Sequence, residues 1–126
     1  MEFKDKRGLR RLGSSFVYAF RGLVHAAAEE QNVRLHLCAA FLVMCTGFFL
    51  NIPKYHWLIL LLTVGAVLAL EIMNTAIERT VDLVTDQYHP LAKAAKDLAA
   101  AAVFVFTIIS VIIGLIIFLP PILKLL

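Results

Sequence analysis

Three long stretches lacking Asp, Glu, Lys and Arg set the rhythm of this chain: residues 35–53, 55–70 and 98–123. Crossing ~30 Å of hydrocarbon takes about 20 helical residues, so each stretch reads as the body of a membrane span. The second span continues past Glu71 and emerges at about residue 76 if it starts near Trp57. Ahead of the spans, Leu9, Leu12, Phe16, Phe20, Leu23 and Ala27 recur at three- and four-residue intervals. Arg10, Arg11, Ser14, Tyr18, Arg21 and His25 occupy the opposite arc. That spacing predicts an amphipathic helix over about residues 9–28, lying in the membrane interface with a basic polar face. Gly13 and Gly22 weaken it as an isolated helix, which makes it dependent on lipid or on neighbouring helices.

Polar punctuation separates these elements. Glu29-Glu30-Gln31-Asn32 interrupts the apolar pattern, and Asn32 is the expected N-cap of the first span. Asn51-Ile52-Pro53 makes an outer turn, followed by Tyr55 and Trp57 as interfacial aromatics. The second helix is expected to protrude to about Thr85, where Asp86-Gln87-Tyr88-His89-Pro90 breaks it and the third begins near Leu91. Small residues at 99–102 allow close helix approach, and Pro120-Pro121 is expected to end the third helix. The fold class is therefore an all-α membrane protein with three transmembrane helices plus an N-terminal amphipathic interfacial helix. The spans fall at about 33–52, 56–76 (continuing to about 85) and 97–119 in one domain without internal repeats. Three spans of this length enclose little, so self-association is the expected route to a buried polar site.

Composition agrees with a membrane solvent. The 126 residues are 61% hydrophobic, with mean hydropathy +0.86. The basic, polar-interrupted first twenty residues do not resemble a cleavable signal peptide. Lys4, Lys6, Arg7, Arg10, Arg11, Arg21 and Arg34 precede the first span, and Arg79, Lys93 and Lys96 flank the second connection. Only Lys54 and Lys124 lie at the opposite ends. The positive-inside rule then puts the N-terminus and the 77–97 loop in the cytoplasm and the C-terminus outside. The net charge of +3 reads as topology and contact with anionic lipid, and no nucleic acid is expected as a partner. Cys38 and Cys45, seven apart on one helix, lie too far apart for a disulfide and are expected to act as small packing residues.

The chemistry sits on the second helix. At 100° per residue, Glu71, Asn74, Glu78 and Asp82 fall at roughly 0°, 300°, 340° and 20°, which is one face. Glu71 lies about 8 Å inside the apolar boundary, a costly place for a carboxylate without work or a partner. Oxygen donors without cysteine favour a hard cation such as Mg²⁺, and Lys96 suits a phosphate chain. A carboxylate at that depth can meet the hydroxyl of a lipid, which suggests phosphoryl transfer from a cytosolic nucleotide to a membrane alcohol. Plainer readings stand beside this one. Glu71 and Asn74 could be interhelical hydrogen-bond glue, Glu78 and Asp82 a solvated face, and Lys93 and Lys96 topology signals; His36 reads as a hydrogen-bonded interfacial residue. Gly8 to Ser14 mimics a P-loop only in its glycine spacing, without the lysine and without a preceding strand.

The run Glu71-Ile-Met-Asn-Thr-Ala-Ile-Glu78-Arg-Thr-Val-Asp82, with His89-Pro-Leu-Ala-Lys-Ala-Ala-Lys96-Asp97, closely resembles the small prokaryotic diacylglycerol kinase family over nearly the whole chain. The resemblance implies a homotrimer of three-span subunits with active sites shared between neighbours at the cytoplasmic membrane boundary. It implies ATP as donor, Mg²⁺ as cofactor, and Glu71 as general base on the lipid hydroxyl. Glu30 and Glu78 match the metal- and nucleotide-binding glutamates, and Asn74 and Asp82 match supporting polar residues. Tyr18, Gln87, Tyr88, His89, Lys96 and Asp97 match positions around ATP, and Arg11 matches a basic residue near the substrate-binding surface helix. Glu29 beside Glu30 leaves open which of the two serves. Glu30-Gln-Asn-Val-Arg-Leu-His36 and His89-Pro90 resemble the undecaprenol branch rather than the diacylglycerol branch. A rival from another class is a non-catalytic transporter or channel subunit whose acidic stripe lines a cation path.

Overall fold

The computed structural model describes residues 8–126, and Lys4, Lys6 and Arg7 lie outside the described residues. Four helices follow one another: α1 (Leu9–Glu29), α2 (Gln31–Leu50), α3 (Lys54–Val84) and α4 (Pro90–Leu125). The last three are long and apolar enough to cross a membrane. At ~1.5 Å per residue, α3 is about 46 Å and α4 about 54 Å long, so both outrun ~30 Å of hydrocarbon. They pack on each other along most of their length and extend beyond the apolar region as one antiparallel hairpin.

The α1–α2 junction is a single residue. Glu30 has extended backbone (φ −108°, ψ 115°) and occupies the N-cap position of α2. The expected cap, Asn32, is instead inside the helix, and no side chain caps α2. The Glu30 carboxylate is turned to Arg79 instead of to the first amides of α2. Arg34 supplies the other half of the joint. Its Nη1 donates to the carbonyls of Ala27 (3.2 Å) and Ala28 (2.8 Å), which the end of α1 leaves without helical partners.

The outer turn closes tightly. Asn51 takes the left-handed conformation (φ 51°), and the Ile52 N–H donates to the Gly47 carbonyl at 3.3 Å. Trp57 lies across Gly47 so closely that a Cβ there would meet the indole at 2.9 Å. Trp57 is partly buried, with its ring 4.8 Å from that of Phe48. Beside it, Ile52, Leu60 and Ile117 form the apolar core, flanked by Val43, Met44 and Phe118.

Two further expectations are corrected. Pro120 and Pro121 lie inside α4, which runs on to Leu125. Proline's φ suits a helix, but each ring removes an amide donor and crowds the carbonyl four residues back, a cost met here near the helix end. Cys38 and Cys45 are exposed on the chain rather than packed within it. The apolar arc of α1 is also uncovered, with Phe16 70% and Phe20 67% exposed, as a helix lying against lipid or a partner requires.

Candidate active site

Three of the four buried polar residues among those described lie on α3 away from the apolar core, the fourth being Thr63, one turn from Leu60. Glu71 is 4% exposed, Asn74 7% and Thr75 9%. Glu78 is half-buried and Asp82 exposed, so the α3 stripe passes from a dry interior to an open surface along one face. Each member has a distinct partner. Glu71 Oε2 lies 3.7 Å from His36 Nε2 on α2. Thr75 Oγ1 donates to the Glu71 carbonyl at 3.1 Å, which leaves the carboxylate itself unoccupied by its own helix. Asn74 Nδ2 donates to Glu78 Oε1 at 3.5 Å, while Asn74 Oδ1 is buried with no hydrogen-bond partner.

Glu30 is drawn toward α3 by Arg79. Nη2 donates to Glu30 Oε1 at 2.6 Å, and Nη1 lies 2.7 Å from His25 Nε2, so one guanidinium ties α1, the α1–α2 joint and α3 together. Glu29, the last residue of α1, is exposed. The structure therefore separates the two adjacent glutamates, one turned to solvent and the other held among the helices.

Where the α3–α4 hairpin turns, Asp82, Gln87, Tyr88, His89, Lys96 and Asp97 line a recess of about 290 Å³. Lys96 Nζ donates to Asp82 Oδ1 at 2.5 Å. Lys96 precedes the uncharged stretch of α4, and its hydrogen bond to Asp82 raises the ammonium pKa above the ordinary 10.5. Lys93 pairs with Asp97 one turn along the same helix at 2.5 Å. His89 also shapes the turn itself. Its Nδ1 accepts the Leu91 N–H at 3.1 Å and caps α4, with Pro90 as the first helical residue.

Sequence-predicted residues thus gather in two places, the stripe with Glu30 nearby and the hairpin recess. Arg11 and Tyr18 stay apart: both are exposed on α1, and neither side chain bonds to the stripe or recess among the described residues. Among those residues no three His, Cys, Asp or Glu side chains converge as a ready metal cage. Mg²⁺ does not need one, since one or two carboxylates plus substrate phosphates usually hold it. Glu78, the orphaned Asn74 Oδ1 and Glu30 are oxygen donors of the right kind, so the residues present fit that ion.

Two participants are not evident from sequence spacing. Arg79 counts there only toward topology, yet it clamps Glu30. His36 pairs with Glu71 and also lines an apolar groove of about 460 Å³ between α2, α3 and α4, walled by residues such as Val43, Leu60, Val67 and Val111. Matched depth was the available signal. His36 is the second residue of the first uncharged stretch (35–53) and Glu71 directly follows the second (55–70), so on antiparallel helices both stand at the same end of the apolar region.

Residues 17–118 match the family model described as prokaryotic diacylglycerol kinase. The chain is 52% identical over 121 residues to the undecaprenol kinase of Bacillus subtilis (strain 168), covering 95% of this chain and 98% of that protein. It is 42% identical over 112 residues to the diacylglycerol kinase of Synechocystis sp. (88% of this chain, 64% of that protein). The diacylglycerol kinase of Pseudomonas aeruginosa is 33% identical over 110 residues, 86% and 89% of the two chains. The chain belongs to the prokaryotic diacylglycerol kinase family. It is a multi-pass membrane protein and a lipid kinase, which displaces the cation-path reading of the acidic stripe.

Proposed function

We propose that this single integral-membrane domain transfers the γ-phosphoryl group of ATP to undecaprenol at the cytoplasmic face of the cell membrane, working as a homotrimer. One observation carries the reading: a lipid kinase with a carboxylate only 4% exposed inside a membrane helix, next to a histidine that lines an apolar groove. Nearly end-to-end similarity to an undecaprenol kinase supports the polyprenol over diacylglycerol. Diacylglycerol, giving phosphatidic acid, is the alternative acceptor named by the other relatives.

In this reading Glu71 accepts the hydroxyl proton as the alcohol oxygen bonds to the γ-phosphorus in line with the departing ADP oxygen. No phosphoenzyme is required. The recess residues Gln87, Tyr88 and His89 bind the nucleotide, while Lys96 leaves Asp82 to neutralise phosphate oxygens, with Asp97 beside it. Mg²⁺ held by Glu30 and Glu78, supported by Asn74, would offset charge on the phosphates. Arg11 and Tyr18 reach the site of a neighbouring copy, which supplies what their own chain does not bring together. The clustering of Arg10, Arg11, Arg21, Arg34, Arg79, Lys93 and Lys96 supports an orientation with the α1 end and the hairpin in the cytoplasm and the C-terminus outside.

The test is transfer of labelled γ-phosphate in lipid–detergent micelles, offering undecaprenol and diacylglycerol separately and in competition, with Glu71→Gln alongside. The expected result is preferential labelling of undecaprenol, falling about 100-fold or more in Glu71→Gln, the usual scale of a general base. A diacylglycerol preference overturns the substrate. An undiminished Glu71→Gln rate overturns the base.

A further inference from the structure

We propose that His36 is the positioning residue of the Glu71 carboxylate, holding one of its oxygens so that the other faces the incoming alcohol. The inference deepens the proposed function and rests on Glu71 being the base.

Among the described residues, His36 is the only basic side chain paired with Glu71, at 3.7 Å between Nε2 and Oε2. No arginine or lysine shares the site: Arg79 is committed to Glu30, Lys96 to Asp82 and Lys93 to Asp97. An ionised carboxylate is an acceptor only, with about four lone-pair sites on two oxygens. Buried as it is, its two carboxylate oxygens stay free to turn unless something outside its own helix orients them. The gap to His36 exceeds hydrogen-bond reach by roughly half an ångström. Catalytic hydrogen bonds are often long in the resting state and tighten when substrate arrives.

The position of the imidazole gives the pairing a direction. His36 is part of the wall of the apolar groove, with a side chain 24% exposed. Of the three hydroxyls in that wall, Thr63 donates to the Ile59 carbonyl and Ser110 to the Thr107 carbonyl, both at 2.7 Å, while the Thr107 side chain makes no such bond among the described residues. A lipid alcohol lying along the groove passes mainly aliphatic surface, with Thr107 the one hydroxyl not bonded to its own helix, until it reaches His36, and its hydroxyl arrives at Glu71 beside the ring. Nε2 donating to one carboxylate oxygen leaves the other to accept the hydroxyl proton, so the ring orients the base and takes no proton in the step itself.

The two ring nitrogens make the test specific. A glutamine amide reaches about as far as Nε2, whereas an asparagine amide reaches only about as far as Nδ1. In phosphoryl transfer to undecaprenol, His36→Ala and His36→Asn should lower kcat about tenfold or more, the scale of losing a group that orients a catalytic one. His36→Gln should stay within about threefold of the parent, and the KM for ATP should not move in any of them. Independently of turnover, the ¹⁵N resonances of the His36 ring should report an Nε2–H tautomer and should shift in Glu71→Gln.

The proposal is overturned if folded His36→Ala retains the parental kcat, if glutamine rescues no better than asparagine, or if the ring resonances ignore Glu71→Gln. A parent protein that phosphorylates no lipid alcohol sinks the proposed function and this role with it. An active parent with an indifferent His36 sinks this role alone.

Discussion

Replacing Arg79 with methionine removes the clamp on Glu30 while keeping much of the side chain's length. In the structure the guanidinium bonds Glu30 at 2.6 Å and His25 at 2.7 Å. Arg79 is 49% exposed and Glu30 27%, so solvent screens the pair and a deep-interior energy does not apply. Exposed pairs are worth about 0–1 kcal/mol, and the half-buried carboxylate puts this one near the top of that range. If Mg²⁺ and Arg79 compete for the same carboxylate, freeing Glu30 should return that ~1 kcal/mol to the metal, about a fivefold lower half-saturating Mg²⁺. The assay is a Mg²⁺ titration of lipid phosphorylation at saturating ATP, paired with Mn²⁺ binding to nucleotide-free protein by EPR. Trypsin should at the same time cut faster at Arg21, because α1 loses its tie to α3. Arg79→Lys, with charge but no fork, should fall between parent and methionine variant. An unchanged or higher Mg²⁺ requirement in Arg79→Met would refute the competition and with it the placing of Glu30 among the metal ligands.

Three further outcomes follow from particular contacts. Gly47→Ala puts a Cβ 2.9 Å from the Trp57 indole and should cost about 1–3 kcal/mol of stability, read as a lower melting temperature in detergent; Trp57→Phe in the same chain should restore part of it. Lys96→Met should raise the KM for ATP about tenfold, as expected for one lost charge-assisted hydrogen bond, with the melting temperature unmoved because Asp82 is well exposed. His89→Ala removes the α4 cap and should cost about 1 kcal/mol, whereas His89→Asn restores the cap. Nucleotide affinity that stays low in His89→Asn at parental stability assigns His89 a role at ATP; full recovery confines it to capping.

The sequence determined what depends on neighbours along the chain. Helix period and bilayer thickness are local constraints, so three spans, the interfacial helix and the one-faced stripe from Glu71 to Asp82 were legible from spacing alone. The recess residues 87–89 were legible too, because a break between two long helices must turn somewhere. Where local signals competed with packing, spacing misled. Asn32 looks like a cap, but the α1–α2 joint is set by Arg34 on the α1 carbonyls and Arg79 on Glu30. Spacing also left unseen that the Trp57 ring lies across Gly47. Only the tertiary structure decided which distant groups meet: His36 with Glu71, Arg79 with Glu30 and His25, Lys96 with Asp82. Those meetings depend on the relative height and rotation of antiparallel helices. Both are set by side-chain packing across the whole contact and leave no periodic trace in either helix alone.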